Sequence, residues 1–288
     1  MSATVAPRRW NRRLGRPAGW RIAAYAVLIG LSALYVLPLL WMIVTALKTG
    51  PQAIANPPSF IPSPFVWENF PNALTKINFP VALRNSLLYA VPAVVGTVIS
   101  CSLVAYGFAR IPWPGRDAVF IVLLATMMLP SQVTFIPLYV IYAKLGWIGT
   151  FLPLVLPTFL GNPFFIFLLR QFFRGIPEEL SNAARIEGAS ELQILLRIIL
   201  PLSGPALITV GLLTFIDKWG DFFGPIVYLN NADLYPLSVA IQTFQSAHKT
   251  DWPLSMAASV VICAPLVIMY FLAQRKFIEG ITLTGIKG

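Results

Sequence analysis

The segment PEELSNAARIEGASELQILLRIILP, from Pro177 to Pro201, decides the fold predicted for this chain. Pro177 suits the first position of a helix, because its missing N–H costs nothing there. Gly188 is predicted to end that helix in the left-handed conformation that glycine tolerates. Ser190 and Gln193 then form an S-x-x-Q capping box that starts a second helix. The segment therefore predicts two helices joined by a glycine turn, the first short and outside the bilayer.

The first of these helices has the features of a docking element. Two glutamates, Glu178 and Glu179, lie in its first turn and favour the positive end of the helix dipole. A helix resting on lipid headgroups is the alternative, but these glutamates would repel anionic lipid. Residues at three- and four-residue spacing share a face, and its small side chains permit close approach of another backbone. That face is Leu180, Ala183, Ala184 and Glu187.

The composition indicates that a bilayer surrounds most of the chain. Its 288 residues are 57% hydrophobic and 11% charged, with a mean hydropathy of +0.74. Soluble domains carry about 25% charged residues, so a water-facing fold could not hide this much apolar surface. The net charge of +10 comes from basic residues at predicted helix ends, without an aromatic-interleaved patch. Nucleic acid is therefore not predicted as a partner.

Apolar windows long enough to cross a bilayer, about 20 residues each, occur six times. Lysine and arginine concentrate in the segments that six crossings place on the same side as both termini, which are predicted to be cytoplasmic. The sequence thus predicts an all-α membrane protein with six transmembrane helices, and Pro130, beside Ser131, Gln132 and Thr134, favours a broken helix. The predicted spans are 22–47, 86–109, 118–142, 150–173, 202–229 and 256–274.

These spans divide the chain into a membrane core with short flanking segments. The Pro-rich stretch after the first span is predicted to be an outer loop, because proline cannot continue a helix interior. The predicted parts are a basic cytoplasmic tail 1–21, a first transmembrane helix 22–47, an extracytoplasmic loop 48–85, a core 86–275 containing five helices and the cytoplasmic loop 174–201, and a cytoplasmic tail 276–288.

Metal and nucleophilic chemistry have little support in the sequence. Cys101 and Cys263 both lie in apolar runs and lack metal-ligand spacing, so they are interpreted as small core residues. His248 is the only histidine and has no candidate co-ligands near it. Asp217 and Asp221 lie one helical turn apart, but such a pair alone is weak support for an enzyme. No metal site and no catalytic residue are predicted.

The segment from Pro177 to Pro201 resembles the EAA loop of permease subunits in binding-protein-dependent ABC importers. The family pattern is E-A-A, three residues, G, nine residues, I-x-L-P, and this chain departs from it at Asn182, where the family usually has glutamate. Segments TMMLPSQVTFIPLYVIYAKLGW, FLLRQFFRGIPEEL, WGDFFGPIVYLN and QRKFIEGITLTGIKG are similar to the carbohydrate-importer branch of the maltose type. The matching positions of the loop are Ala183, Ala184, Gly188, Ile198, Leu200 and Pro201.

The resemblance implies a half-transporter that works with other chains. These would be a homologous second permease, two ATPase subunits bound at the EAA loops, and an extracytoplasmic solute-binding protein. ATP and Mg would be bound on the partner subunits, which agrees with the lack of a Gly-Lys dipeptide and hence of a P-loop here. The ATPase-coupling residues that the resemblance implies are Glu178, Glu179, Ala183, Ala184, Arg185, Glu187 and Gly188.

Polar groups inside the spans are the candidates for a substrate path, because such groups should face the bundle interior. An ion-coupled secondary transporter that uses Asp217, Lys218 and Asp221 is the alternative from another class. A permease for a non-sugar solute such as glycerol phosphate is also left open. Trp219 and Phe222 could stack on sugar rings. The candidate path residues are Gln132, Asn162, Asp217, Trp219 and Asp221.

Overall fold

The computed structural model describes residues 18–245 and 250–285, so His248 and most of the predicted N-terminal tail lie outside the described residues. The described residues form helices connected by turns, and no strand occurs among them beyond an isolated bridge between Gln245 and Thr250. The prediction of an all-α protein is confirmed. The helix that carries the predicted C-terminal tail continues to Gly285.

The N-terminal half is built around one long helix. α1 (Ala18–Ala46) is followed by the short α2 (Gly50–Ala53) and α3 (Asn69–Lys76), and then by α4 (Phe79–Arg110). Helix α4 begins at Phe79, so residues 79–85 of the predicted outer loop 48–85 are helical. α4 packs against α3, α8, α12 and a 3₁₀ turn at Leu156–Leu160, which makes it the central element of the fold.

The remaining helices follow in short segments. They are α5 (Arg116–Ala125), α6 (Ser131–Lys144), α7 (Leu152–Val155), α8 (Pro163–Gly175), α9 (Glu178–Ile186), α10 (Glu191–Ile194), α11 (Leu200–Leu202), α12 (Gly204–Gly220), α13 (Phe223–Tyr228), α14 (Leu237–Ala240) and α15 (Trp252–Gly285). A π-helical turn at Leu195–Ile199 joins α10 to α11.

Among the described residues, four helical stretches are long and apolar enough to cross a membrane: Ile22–Ala46, Phe79–Arg110, Leu152–Gly175 and Trp252–Gln274. Two bent pairs raise the number to six if each pair is one span. One is Arg116–Met128 with Gln132–Lys144, whose break is at Pro130. The other is Glu191–Leu202 with Gly204–Gly220, bent by 82°.

The fifth predicted span, 202–229, is not one helix. α12 ends at Gly220, and the backbone of Asp221 is extended, with ψ of 116°. The Asp221 carboxylate then accepts a hydrogen bond from the backbone N–H of Gly224 at 3.1 Å. Asp and Gly both disfavour a helix interior, so the polar break overrides the apolar character of the surrounding residues.

Candidate functional site

Helix α9 has the ends that the sequence predicts, with one shift of a single position. Pro177 is the N-cap residue, in an extended conformation, and the helix begins at Glu178 instead of at the proline. Gly188 has a φ of +84°, the left-handed conformation expected at the end of this helix. The Ser190 hydroxyl accepts the N–H of Gln193, and the Gln193 side chain accepts the N–H of Ser190, so the predicted capping box is present.

The predicted docking face of α9 is divided by the structure. Leu180, Ala183 and Glu187 are exposed, whereas Ala184 is half-buried and packs against the core that contains Tyr106. Positions 183 and 184 are about 100° apart around a helix. The side of α9 that packs against the rest of the protein therefore includes Ala184 but not Ala183. Ala184 thus lies towards the inner face of α9 and is less exposed than Ala183.

Other apolar and charged groups remain on the outer face. Glu178, Glu179 and Gly188 are exposed, and Ile186 is 88% exposed, which is unusual for a branched apolar side chain next to water. Ser181 on the opposite side is 1% exposed. The exposed face of α9 thus combines apolar surface with glutamates, as a docking surface for another protein would.

Arg185 is engaged within the chain itself. Its Nε donates to Oε1 of Glu191 at 2.7 Å, and its Nη2 donates to Oε2 of the same carboxylate at 3.3 Å. Nη1 donates to Oδ1 of Asn182 at 2.8 Å. The hydrogen bond with Glu191 raises the pKa of Arg185 above its ordinary value. The guanidinium therefore joins α9 to α10, and Asn182 at the place of the family's glutamate is part of that junction.

A cavity of about 320 Å³ lies between α4, α6, α7, α8, α12 and α13. It brings together three of the predicted path residues, Asn162, Asp217 and Asp221. Hydroxyl, carboxylate, amide and ammonium groups share its wall with aromatic rings, and this is the mixture that hydrogen-bonds and stacks on a polyhydroxylated ligand. Its polar and aromatic lining includes Tyr89, Thr97, Tyr142, Thr158, Asn162, Phe165, Thr214, Asp217, Lys218, Asp221 and Tyr228.

The two aspartates of the cavity differ in their surroundings. The Tyr89 hydroxyl, on a side chain that is 1% exposed, donates to Oδ2 of Asp221 at 2.6 Å. Because Gly224 donates to the other oxygen, the Asp221 carboxylate is held on both sides. Asp217 instead pairs with Lys218 at 2.9 Å, and its side chain is 69% exposed. Asp221 is therefore a fixed part of the wall, whereas the Asp217–Lys218 pair lies at its open edge.

The remaining path candidates are placed differently. The Oδ1 atom of Asn162 accepts the N–H groups of Phe164 and Phe165, so this residue is the N-cap of α8 as well as part of the cavity wall. Gln132 lies in the first turn of α6 and is not among the described residues that line the cavity. Trp219 is also not among the residues that line this cavity.

Trp219 lies in the protein core and does not line the cavity. Its side chain is 3% exposed, its ring stacks on Phe215 with centroids 5.1 Å apart, and its Nε1 donates to the carbonyl of Ile262 at 3.0 Å. The indole thus joins α12 to α15. Trp219 is two positions from Asp217 on α12, which places its side chain about 200° around the helix axis from that of Asp217.

The structure adds aromatic residues that sequence reasoning missed. Tyr142 and Tyr228 line the cavity with their ring centroids 5.6 Å apart, and Tyr139 stacks on Tyr228. Tyr89 is the third tyrosine of the wall. A tyrosine inside an apolar span needs a partner for its hydroxyl, and that requirement was the signal available in the sequence. No group of three or more potential metal ligands was found among the described residues.

Comparison with known proteins identifies the family. Residues 96–282 match the family model described as "Binding-protein-dependent transport system inner membrane component". This match spans more than half of the chain, and the chain belongs to that family. It is therefore a multi-pass inner-membrane permease of the ABC importer class, a transport component and not an enzyme.

Named relatives align over most of this chain. It is 31% identical over 256 residues to the arabinooligosaccharides transport system permease protein AraQ of Halalkalibacterium halodurans, covering 88% of this chain and 91% of that protein. It is 34% identical over 272 residues to the trehalose/maltose transport system permease protein MalG of Thermococcus litoralis, covering 91% and 95%.

A solved structure shares the fold. A chain in the crystal structure of a bacterial ABC transporter involved in the import of the acidic polysaccharide alginate is 24% identical, with a TM-score of 0.79, and the match covers 91% of this chain and 99% of that one. A second structure, of a bacterial alginate ABC transporter with a pentasaccharide-bound periplasmic protein, has a TM-score of 0.63 and 17% identity.

Proposed function

We propose that this chain is a permease subunit of an ATP-driven sugar importer and forms half of the translocation path. The cavity next to α4 carries this proposal, because hydroxyls, an amide, carboxylates and tyrosine rings converge on one space. Such a wall can hydrogen-bond the hydroxyls of a sugar and stack on its apolar face. Relatives that are named for sugar transport support the same substrate class.

The proposed partners are a homologous second permease, two ATPase subunits, an extracytoplasmic solute-binding protein and the lipid bilayer. ATP and Mg would be bound by the ATPases. The exposed face of α9 would be the docking surface for one ATPase, since it combines apolar side chains with glutamates. Closure of the ATPase dimer would move α9 and tilt the bundle between inward-open and outward-open states, a rigid-body change.

The structure makes an ion-coupled transporter a weaker alternative. Asp217 and Lys218 neutralise each other at 2.9 Å, and Asp221 is fixed by Tyr89 and Gly224. Asp217 is thus paired with a cation, and both oxygens of Asp221 accept hydrogen bonds, so neither carboxylate is free as a relay group would be. The two carboxylates facing one ammonium also disfavour an anionic solute such as glycerol phosphate.

In reconstituted vesicles, uptake should survive collapse of the proton gradient as long as internal ATP is maintained. Loss of uptake would indicate the ion-coupled transporter instead.

The docking role of α9 is tested by Ala183→Arg. Position 183 is exposed, so the larger side chain should obstruct a partner without disturbing the core, whereas arginine at the half-buried Ala184 would do both. We expect the ATPases to be lost from the purified complex and uptake to be abolished. Ala55→Arg, at an exposed alanine of the predicted outer loop, is the control. Full ATPase retention in Ala183→Arg would contradict docking at α9.

A further inference from the structure

Helix α4 contacts both the α9–α10 region and the cavity. Near one end the Tyr106 hydroxyl donates to Oε2 of Glu191 at 2.5 Å, and towards the other end the Tyr89 hydroxyl donates to Oδ2 of Asp221 at 2.6 Å. The helix remains continuous through Pro92, which lies between these tyrosines. At a rise of about 1.5 Å per residue, the two tyrosines are about 26 Å apart along the axis.

Glu191 is the junction between α9 and α4. One carboxylate receives Tyr106 from α4 and Arg185 from α9, with Arg185 Nε at 2.7 Å from Oε1. Bidentate arginine–carboxylate pairs fix geometry as well as distance, and hydrogen bonds to an ionised group are roughly twice as strong as neutral ones. Tyr106 is 3% exposed, whereas the Glu191 side chain is 42% exposed, so the bond joins a buried residue of α4 to the surface of α10.

The entry to α9 is also tied to α4. Arg110, 8% exposed at the end of α4, donates through Nη2 to the carbonyls of Phe173 and Ile176. These carbonyls lie at the end of α8, immediately before α9. α4 thus holds the chain on both sides of α9, through Arg110 before it and through Tyr106 after it.

The body of α4 is anchored along the cavity wall. Ser100 donates to the carbonyl of Thr158 at 3.1 Å, and Cys101 accepts the N–H of Asn162 at 3.2 Å. Thr158 and Asn162 both line the cavity. A close-packed helix with such contacts resists compression and transmits displacement along its length.

We propose that Glu191 is a positioning residue for transport, which transmits displacement of α9 through Tyr106 into α4 and thereby moves Tyr89 and the Asp221 wall of the cavity. This rests on the proposed function, in which an ATPase moves α9. In this proposal α4, α9 and α10 move together as one unit between two positions. The ATPase would shift the equilibrium between these positions by binding α9, and the solute would shift it by binding in the cavity.

The test uses the complete importer in proteoliposomes and measures solute moved per ATP hydrolysed. Tyr106→Phe removes only the hydroxyl and should lower this ratio about tenfold, with the ATPases retained in the complex and ATP hydrolysis within about twofold. Glu191→Gln should lower the ratio in the same direction. In the double variant the loss should not exceed that of the worse single variant, because Tyr106→Phe removes a hydrogen bond that Glu191→Gln already weakens.

Two controls separate this link from general damage. Tyr35→Phe removes a hydroxyl at a position that is 83% exposed, and Glu68→Gln changes an exposed glutamate outside the link; both should keep the wild-type ratio. An unchanged ratio in Tyr106→Phe, or losses that multiply in the double variant, would overturn the proposal. If the Tyr106→Phe importer does not assemble, an unchanged ratio of solute moved per ATP in Glu191→Gln would also overturn the proposal. Failure of docking itself is recognised separately, since Ala183→Arg would then retain its ATPases.

Discussion

At the scale of single residues, Gly96 shows how closely α4 is packed. A Cβ atom at this position would lie 2.6 Å from the ring of Phe159 and 2.7 Å from the hydroxyl of Thr158. The Thr158 hydroxyl is itself bonded to the carbonyl of Val155 at 2.6 Å, so it has little freedom to move. The glycine therefore allows the 3₁₀ turn at Leu156–Leu160 to approach α4 and form one side of the cavity.

Gly96→Ala should destabilise the protein by about 1–3 kcal/mol, the usual range for overpacking a well-filled site. Gly107→Ala, on the same helix, is the matched control, because a Cβ there meets no atom within 4 Å. An added methyl group at an open helical glycine stabilises by about 0.4–1 kcal/mol. Thermal unfolding in detergent should move the two melting temperatures in opposite directions; equal melting temperatures would contradict the close approach at Gly96.

At the scale of elements, α9 and α10 depend on their ends and on each other. α9 has nine residues and α10 has four, and helices this short are not stable alone in water. The capping box at Ser190, the left-handed Gly188 and the Arg185–Glu191 pair supply the missing support. The unit exposes Leu180, Ala183 and Ile186 to its surroundings while it remains fixed to α4.

Gly188→Ala should cost about 1–2 kcal/mol, the penalty for a Cβ in the left-handed region. Since a Cβ at position 188 meets no atom within 4 Å, the cost would come from the backbone conformation and not from a clash. Gly188→Asn is the control, because asparagine tolerates this conformation better. Melting temperatures of the purified complex would show the difference, and an alanine variant as stable as wild type would argue against a left-handed backbone at position 188.

At the scale of the whole molecule, the exposed surface of the spanning helices is apolar, whereas polar side chains make their contacts inside the protein. In α1, the membrane-crossing window has no buried residues, and its exposed side chains include Ile22, Leu28 and Tyr35. Such a surface needs lipid or another membrane chain against it. The hydroxyls of Tyr89 and Ser100 on α4 are instead hydrogen-bonded to Asp221 and to the carbonyl of Thr158, which is how a bilayer protein protects polar groups from hydrocarbon.

The predicted orientation can be tested by single-cysteine labelling after Cys101 and Cys263 are replaced by alanine. Asn182→Cys on α9 and Ile61→Cys in the predicted outer loop both occupy exposed positions. With a membrane-impermeant maleimide, intact cells should label only position 61, and position 182 should react after permeabilisation. Labelling of position 182 from outside would reverse the predicted orientation.

Local patterns determined several features without the tertiary structure. Gly188 and the Ser190–Gln193 capping box were predicted correctly, since each acts on backbone groups within a few residues. The break at Pro130 was likewise favoured by the sequence, because proline restricts the residue before it. The number of apolar stretches long enough to cross a bilayer predicted a membrane protein with six spans, and the described residues contain four to six candidates. Resemblance of the loop to a known family gave the class of transporter.

Only the tertiary structure decided which side chains face one another across the bundle. It separated Ala183 from Ala184, placed Trp219 in the core, and brought Tyr89 to Asp221 and Tyr106 to Glu191. The physical reason is that both partners of such a contact lie far apart in the chain. Periodicity shows which residues share a helix face, but the packing of the other helices decides what that face meets.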